Sequence, residues 1–138
     1  ALEQANNLGI AMQLTNICRD VFEDAENDRI YLPAALFSSA LTTADLTSED
    51  CDSREACTAA KEHLLQMADE LYTRSDAGID YLPLRIRIVV RWASRMYREI
   101  GTVIRNEPER FHENRAVVGQ SKKMFFLIKC ITRSLYKK

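Results

Sequence analysis

The chain has 138 residues, 46% of them hydrophobic and 28% charged, a length that suits one compact domain. Four Gly and three Pro are too few for a turn-rich sandwich or barrel, and no apolar run approaches the roughly 18 residues of a membrane-spanning helix. The net charge of −1 hides an asymmetry: residues 1–80 hold 16 acids and 5 bases (−11), whereas residues 81–138 hold 4 acids and 14 bases (+10).

The start, Ala1-Leu2-Glu3-Gln4-Ala5, has no initiator Met and no signal-peptide pattern. It reads as helix from its first residue, so an N-terminal portion is expected upstream. Ile10, Leu14, Ile17 and Val21 recur at helical spacing and predict a long helix ending near Asp24, followed by an irregular stretch, Ala25–Arg29. Residues 34–54, rich in Ser, Thr and Asp, predict short helical pieces at most. Ser53 reads as the N-cap of the next helix, with Leu64, Met67, Ala68, Leu71 and Tyr72 as its apolar face and Gly78 as its end or interruption.

A third long helix is expected from Pro83, with Pro108 beyond its end. Ile86, Val89, Val90, Ala93, Met96, Tyr97, Ile100 and Ile104 form its broad apolar face. Arg85, Arg87, Arg91, Arg95 and Arg98 fill its other positions, facing solvent or pairing with the acidic half. A last helix is expected over 121–135. No strand alternation and no internal repeat are evident, so the fold class is all-α.

The four cysteines, Cys18, Cys51, Cys57 and Cys130, form no C-x-x-C pair. With only two histidines they read as reduced structural thiols of a cytosolic protein rather than zinc ligands.

At about 100° per residue, Gly9, Gln13, Asn16, Asp20 and Asp24 fall within about 80° of one another on the first helix. Ile10, Leu14, Ile17 and Val21 lie beside them. A narrow amide and carboxylate stripe flanked by apolar residues reads as the wall of a polar cavity; the alternative is a surface acid cluster. Asp20 and Asp24, at i and i+4, repel unless a cation intervenes. Their hard oxygens suit Mg²⁺, which keeps several waters and shares a substrate phosphate, with Glu23 at the rim. Arg19 and Arg29 bracket the acids and suit a diphosphate, or ordinary salt bridges.

The segment Leu8–Asp24, with Gln13, Asn16, Arg19, Asp20, Glu23 and Asp24 in the pattern Q-x-x-N-x-x-R-D-x-x-E-D, is followed by Arg29-Ile30-Tyr31-Leu32-Pro33. Together they closely resemble the second aspartate-rich signature of the phytoene/squalene synthase family. The wording Leu14-Thr15-Asn16-Ile17 and Arg29-Ile30-Tyr31-Leu32-Pro33 is closer to phytoene synthases than to eukaryotic squalene synthases. Looser similarity runs to about residue 125 and includes Tyr97 and the stretch Arg115-Ala116-Val117-Val118.

The resemblance implies the C-terminal part of a class I isoprenoid synthase helical bundle. Such enzymes join two prenyl diphosphates head to head through a cyclopropyl diphosphate. By matching position it implies Asp20 and Asp24 as ligands of Mg²⁺ (or Mn²⁺), with Asn16 and Glu23 adjoining. It implies Gln13, Asn16, Arg19 and Arg29 at the substrate, and Tyr97 near the departing diphosphate or cation. The expected substrate is geranylgeranyl diphosphate; a C30 dehydrosqualene or squalene synthase is the near alternative, and a noncatalytic helical module of the same fold the distant one.

Two departures stand out. Asp28 replaces the glycine usual before Arg-x-Tyr-Leu-Pro. The first aspartate-rich motif is missing, because Asp45, Glu49, Asp50 and Asp52 lie in a Ser/Thr-rich linker and do not fit it. Residues 1–138 are therefore expected to be a partial domain, inactive alone and completed by a missing N-terminal half.

After Glu113 come seven bases and no acid. Residues 121–138 read as a final bundle helix with a solvated basic face, or as a basic amphipathic helix touching anionic lipid. No basic motif interleaved with aromatics points to nucleic acid. The expected location is cytoplasm or plastid, peripheral to a membrane in the second case.

Overall fold

The computed structural model describes residues 2–39, 41–47, 51–107 and 116–136. These form five α-helices, α1 (Leu2–Glu26), α2 (Thr43–Thr47), α3 (Cys51–Ile79), α4 (Leu84–Asn106) and α5 (Gln120–Tyr136), and a 3₁₀ turn over Ala34–Leu36. Among the described residues there is no strand, as the all-α reading expects. Glu49, Asp50, Pro108, Glu113 and Arg115 lie outside the described residues.

α1 and α3 pack antiparallel and bury most of the core. Ala11, Thr15, Cys18, Val21 and Ala25 form the buried edge of α1, and Cys57, Ala60, Leu64, Leu65, Ala68 and Tyr72 meet them from α3. The predicted seam on α1 is rotated: Leu14 and Ile17 are partly buried, but Ile10 is 43% exposed. Small residues at i, i+4 and i+7 let the α3 backbone come close, and this proximity outweighs the larger side chains beside them.

Gly78 is part of the same contact. A Cβ there would meet Gln4 Cβ at 2.4 Å. α3 ends at Ile79, one residue past Gly78, as expected, and the glycine also serves this close approach. Two boundaries shift. α3 starts at Cys51, so Ser53 lies in its first turn and is not the N-cap. α1 continues to Glu26, two residues past the expected end.

That end has a defined geometry. The Arg29 amide donates to the Asp24 carbonyl (2.9 Å) and the Asp28 amide to the Ala25 carbonyl (3.0 Å). These are the paired 6→1 and 5→2 bonds of a Schellman motif, and Asp28 occupies its left-handed position at φ 57°. Leu32 then plunges into the core, and Pro33 opens the 3₁₀ turn. α2 is capped reciprocally: the Thr42 amide donates to Asp45 Oδ2 (2.8 Å), and the Asp45 amide to Thr42 Oγ1 (3.2 Å).

α4 runs antiparallel to α3, and the two carry opposite charges in matching register. Arg91 pairs with Asp80, Arg98 with Asp76 (3.0 Å), and Arg105 with Glu62 (2.8 Å) and Asp69 (2.9 Å). The three arginines recur every seven residues, as do Glu62, Asp69 and Asp76, so the ladder follows two-turn steps on both helices. On the expected apolar face of α4, Met96 and Ile104 are buried, but Ile86 (52%) and Val89 (61%) are exposed; on α3, Met67 is exposed as well.

α5 lies antiparallel along α4. Trp92 Nε1 donates to the Lys123 carbonyl (3.1 Å) and Arg91 Nη1 to Ser134 Oγ (2.7 Å). Lys122 reaches Glu99 at 2.6 Å. No described helix is long and apolar enough to cross a membrane.

Candidate functional site

The stripe lies on the side of α1 turned away from α3. Gly9, Gln13 and Glu23 are exposed, and Asn16, Asp20 and Asp24 are half-buried. α1 thus separates two environments: small apolar residues toward α3, amides and carboxylates on the opposite side.

Asp20 is gripped by its neighbour. Arg19 Nε donates to Asp20 Oδ1 (2.8 Å) and Arg19 Nη2 to Oδ2 (2.7 Å), a bidentate pair with both side chains largely covered. The Asp20 carboxylate, with the Tyr97 hydroxyl beside the guanidinium, raises the Arg19 pKa further. Tyr97 projects from α4 and packs on the Ala11–Ala68–Tyr72 cluster. Arg19, Asp20 and Tyr97, far apart in sequence, therefore share one locus.

The second locus is the C-terminal end of the stripe. Burial, then the charges of Asp20 and Glu23, push the Asp24 carboxyl above its ordinary value, and Arg29 opposes them. Arg29 is brought there by the Schellman turn, whose 6→1 bond joins the backbones of residues 24 and 29. In such turns the first and last residues usually touch through apolar side chains; here they are an acid and a base. Asp28 takes the left-handed conformation that glycine enters freely (φ 57°).

Asn16 Oδ1 is buried with no hydrogen-bond partner. A buried acceptor left unpaired is costly, about 1–3 kcal/mol, and an incoming cation or donor would relieve it. With the Asp20 and Asp24 carboxylates it offers the hard oxygens that Mg²⁺ takes, one or two carboxylates sufficing when substrate and water complete the shell. Among the described residues no three His, Cys, Asp or Glu side chains converge as a closed metal cage. The residues fit an open, shared site.

The sequence reading missed one polar element under the site. Tyr72, assigned only to the apolar face of α3, is buried with its hydroxyl 3.0 Å from Thr15 Oγ1, and Thr15 donates in turn to the Ala11 carbonyl (2.9 Å). The Arg98 guanidinium lies 5.1 Å over its ring. Burial pushes the Tyr72 hydroxyl up to about 12, so it stays protonated. A tyrosine on a core face needs a partner for its hydroxyl, and that was the available signal.

The cysteines are unpaired, and Cys18, Cys57 and Cys130 are buried. Burial drives the Cys18 thiol up to about 12, which makes it a packing group and not a nucleophile.

The described residues thus form an all-helical bundle with a carboxylate and arginine stripe along one helix. Residues 1–122 match the squalene/phytoene synthase family model, and the chain belongs to that family. It is 37% identical over 128 residues to 15-cis-phytoene synthase of Enterobacter agglomerans, covering 92% of this chain and 43% of the relative. It is 43% identical over 129 residues to phytoene synthase of Arthrospira platensis, covering 91% of this chain and 40% of the relative. It is also 34% identical over 119 residues to a bifunctional lycopene cyclase/phytoene synthase of Pyrenophora tritici-repentis, covering 86% of this chain and 20% of the relative. The chain thus spans less than half the length of these relatives.

Proposed function

We propose that the intact protein joins two molecules of geranylgeranyl diphosphate head to head, through a cyclopropyl diphosphate, to give phytoene for carotenoid biosynthesis. The observation that carries this reading is the Asp20 and Asp24 stripe on the open face of α1, inside the residues matched by the family. The names of the relatives support it.

Asp20, Asp24 and Asn16 Oδ1 would hold Mg²⁺, or Mn²⁺, with Glu23 at the rim. The ion would supply the Lewis acid that takes up negative charge on the leaving diphosphate. Arg19 and Arg29 present fixed, always-charged guanidinium groups to diphosphate oxygens, Arg19 after exchanging its Asp20 partner. Gln13 lines the same face, and the Tyr97 hydroxyl beside Arg19 lies next to the departing group. Val90, Ala93 and Met96 keep water from the carbocation.

Residues 1–138 are read as the C-terminal part of a domain, whose remainder brings the facing metal ligands. Peripheral contact with an anionic membrane, from the cytoplasmic or plastid side, is proposed through residues 121–138.

Turnover of geranylgeranyl diphosphate by the intact protein tests the assignment. Asp20→Ala and Asp24→Ala should each lose about a hundredfold or more, and residues 1–138 by themselves should turn over nothing. Near wild-type rates in both variants would refute the role. Farnesyl diphosphate assayed in parallel separates the C30 reaction.

A further inference from the structure

We propose that the cavity between α4 and α5 binds a phosphoryl anion, at a site distinct from the stripe on α1. Arg91 and Arg95 from α4, and Lys129 and Arg133 from α5, line it together with Phe126 and Cys130. No carboxylate lines it.

One of the four cations is balanced from outside. Arg91, 7% exposed, pairs with Asp80 on one side and donates to Ser134 Oγ on the other. Among the described residues no carboxylate pairs with Arg95, Lys129 or Arg133. Three cations that pair with no carboxylate among the described residues, Arg95 half-buried and Lys129 and Arg133 on the solvent side, surround one small cavity and give it a positive potential. An anion lowers that potential.

Size and donor type select the anion. The volume, about 50 Å³, is far below a drug-sized pocket and admits only a small group. That space suits a single phosphoryl or similar tetrahedral group. Guanidinium forks from two helices match its oxygens bidentately. The Ser134 hydroxyl, behind the lining, accepts from Arg91 Nη1 and holds that guanidinium in place. Phe126 supplies the apolar wall.

The α5 half of the site, Lys129, Cys130 and Arg133, lies beyond residue 122, where the family match ends. The shared chemistry is a phosphoryl group, and it has two sources, free phosphate or diphosphate and a phospholipid headgroup.

The test uses the intact protein in EDTA at low salt, so that metal-held diphosphate does not contribute. Calorimetric titration with inorganic phosphate and diphosphate is one arm; flotation with phosphatidic acid in phosphatidylcholine vesicles is the other. Saturable binding in either arm is expected, weakened about tenfold or more by the double change Arg95→Gln and Arg133→Gln, and within about twofold of wild type in Arg74→Gln. Arg74 is exposed on α3, paired with Glu70 and outside the cavity. Binding in the first arm identifies free anion as the source, and binding in the second alone identifies the headgroup.

No saturable binding in either arm, or equal loss in Arg74→Gln, overturns the proposal. If the double variant fails to fold, Lys129→Gln replaces it, because that side chain is exposed and pairs with no carboxylate among the described residues; an unchanged affinity there likewise overturns the proposal.

Discussion

Asp28 shows how one residue holds a site's geometry without touching its chemistry. At φ 57° it occupies a conformation that glycine enters freely and other residues enter at a cost, Asp and Asn least among them. Asp28→Gly should therefore stabilise the protein by about 0.5–1 kcal/mol, and Asp28→Val should destabilise it by about 1–2 kcal/mol, measured by urea denaturation. A destabilising glycine would show that the Asp side chain itself holds the turn. The sequence exposed the departure at position 28, but not that its backbone is left-handed.

Asp24 makes a second prediction at this scale. Its folded value lies above the ordinary 3.8, so the fold disfavours the charged form. The penalty is absent below the ordinary value and complete above the raised one. Asp24→Asn should thus raise the melting temperature at neutral pH, and the gain should vanish as the pH falls toward that ordinary value. Solvent reaches the carboxylate and screens it, so the gain should be a few tenths of a kcal/mol. A gain that persists in acid would assign the effect to packing.

At the scale of elements, the ladder between α3 and α4 is unevenly buried, and this grades its contributions. Arg105 keeps Asp69 if Glu62 is lost, and these partners are partly solvated. Glu62→Gln should cost under about 1 kcal/mol. Arg91 is buried, and Asp80→Asn would leave its charge facing only Ser134 and the other cations of the α4–α5 cavity. That change should cost about 3 kcal/mol, read from the same urea melts. Equal costs for the two would mean that the pairs do not differ in desolvation.

The existence and approximate extent of the long helices were legible, because periodic apolar positions extend over many turns. Their ends were less so. Gly78 marks the end of α3 but not the close approach of α1 that requires a glycine there, and Ser53 looks like a cap until the helix starts two residues earlier. Both are settled by contacts or backbone hydrogen bonds that local propensity does not contain.

For the whole molecule, the −11 and +10 halves face each other across α3 and α4. Much of this asymmetry is internal, a ladder that orients two antiparallel helices, with a remainder of cations on the α4–α5 side.

The sequence by itself determined the all-helical class, the stripe from Gly9 to Asp24 and the family resemblance, because each depends on residue identity and spacing along a single helix. Only the tertiary structure decided that Tyr97 stands beside Arg19 and that Tyr72 supports Thr15. It alone showed that Arg91 is buried and that four cations converge between α4 and α5. Those facts depend on the rotation and approach of one helix against another. Small residues along α1 set that approach, and the packing of whole helices is not written in the periodicity of any one of them.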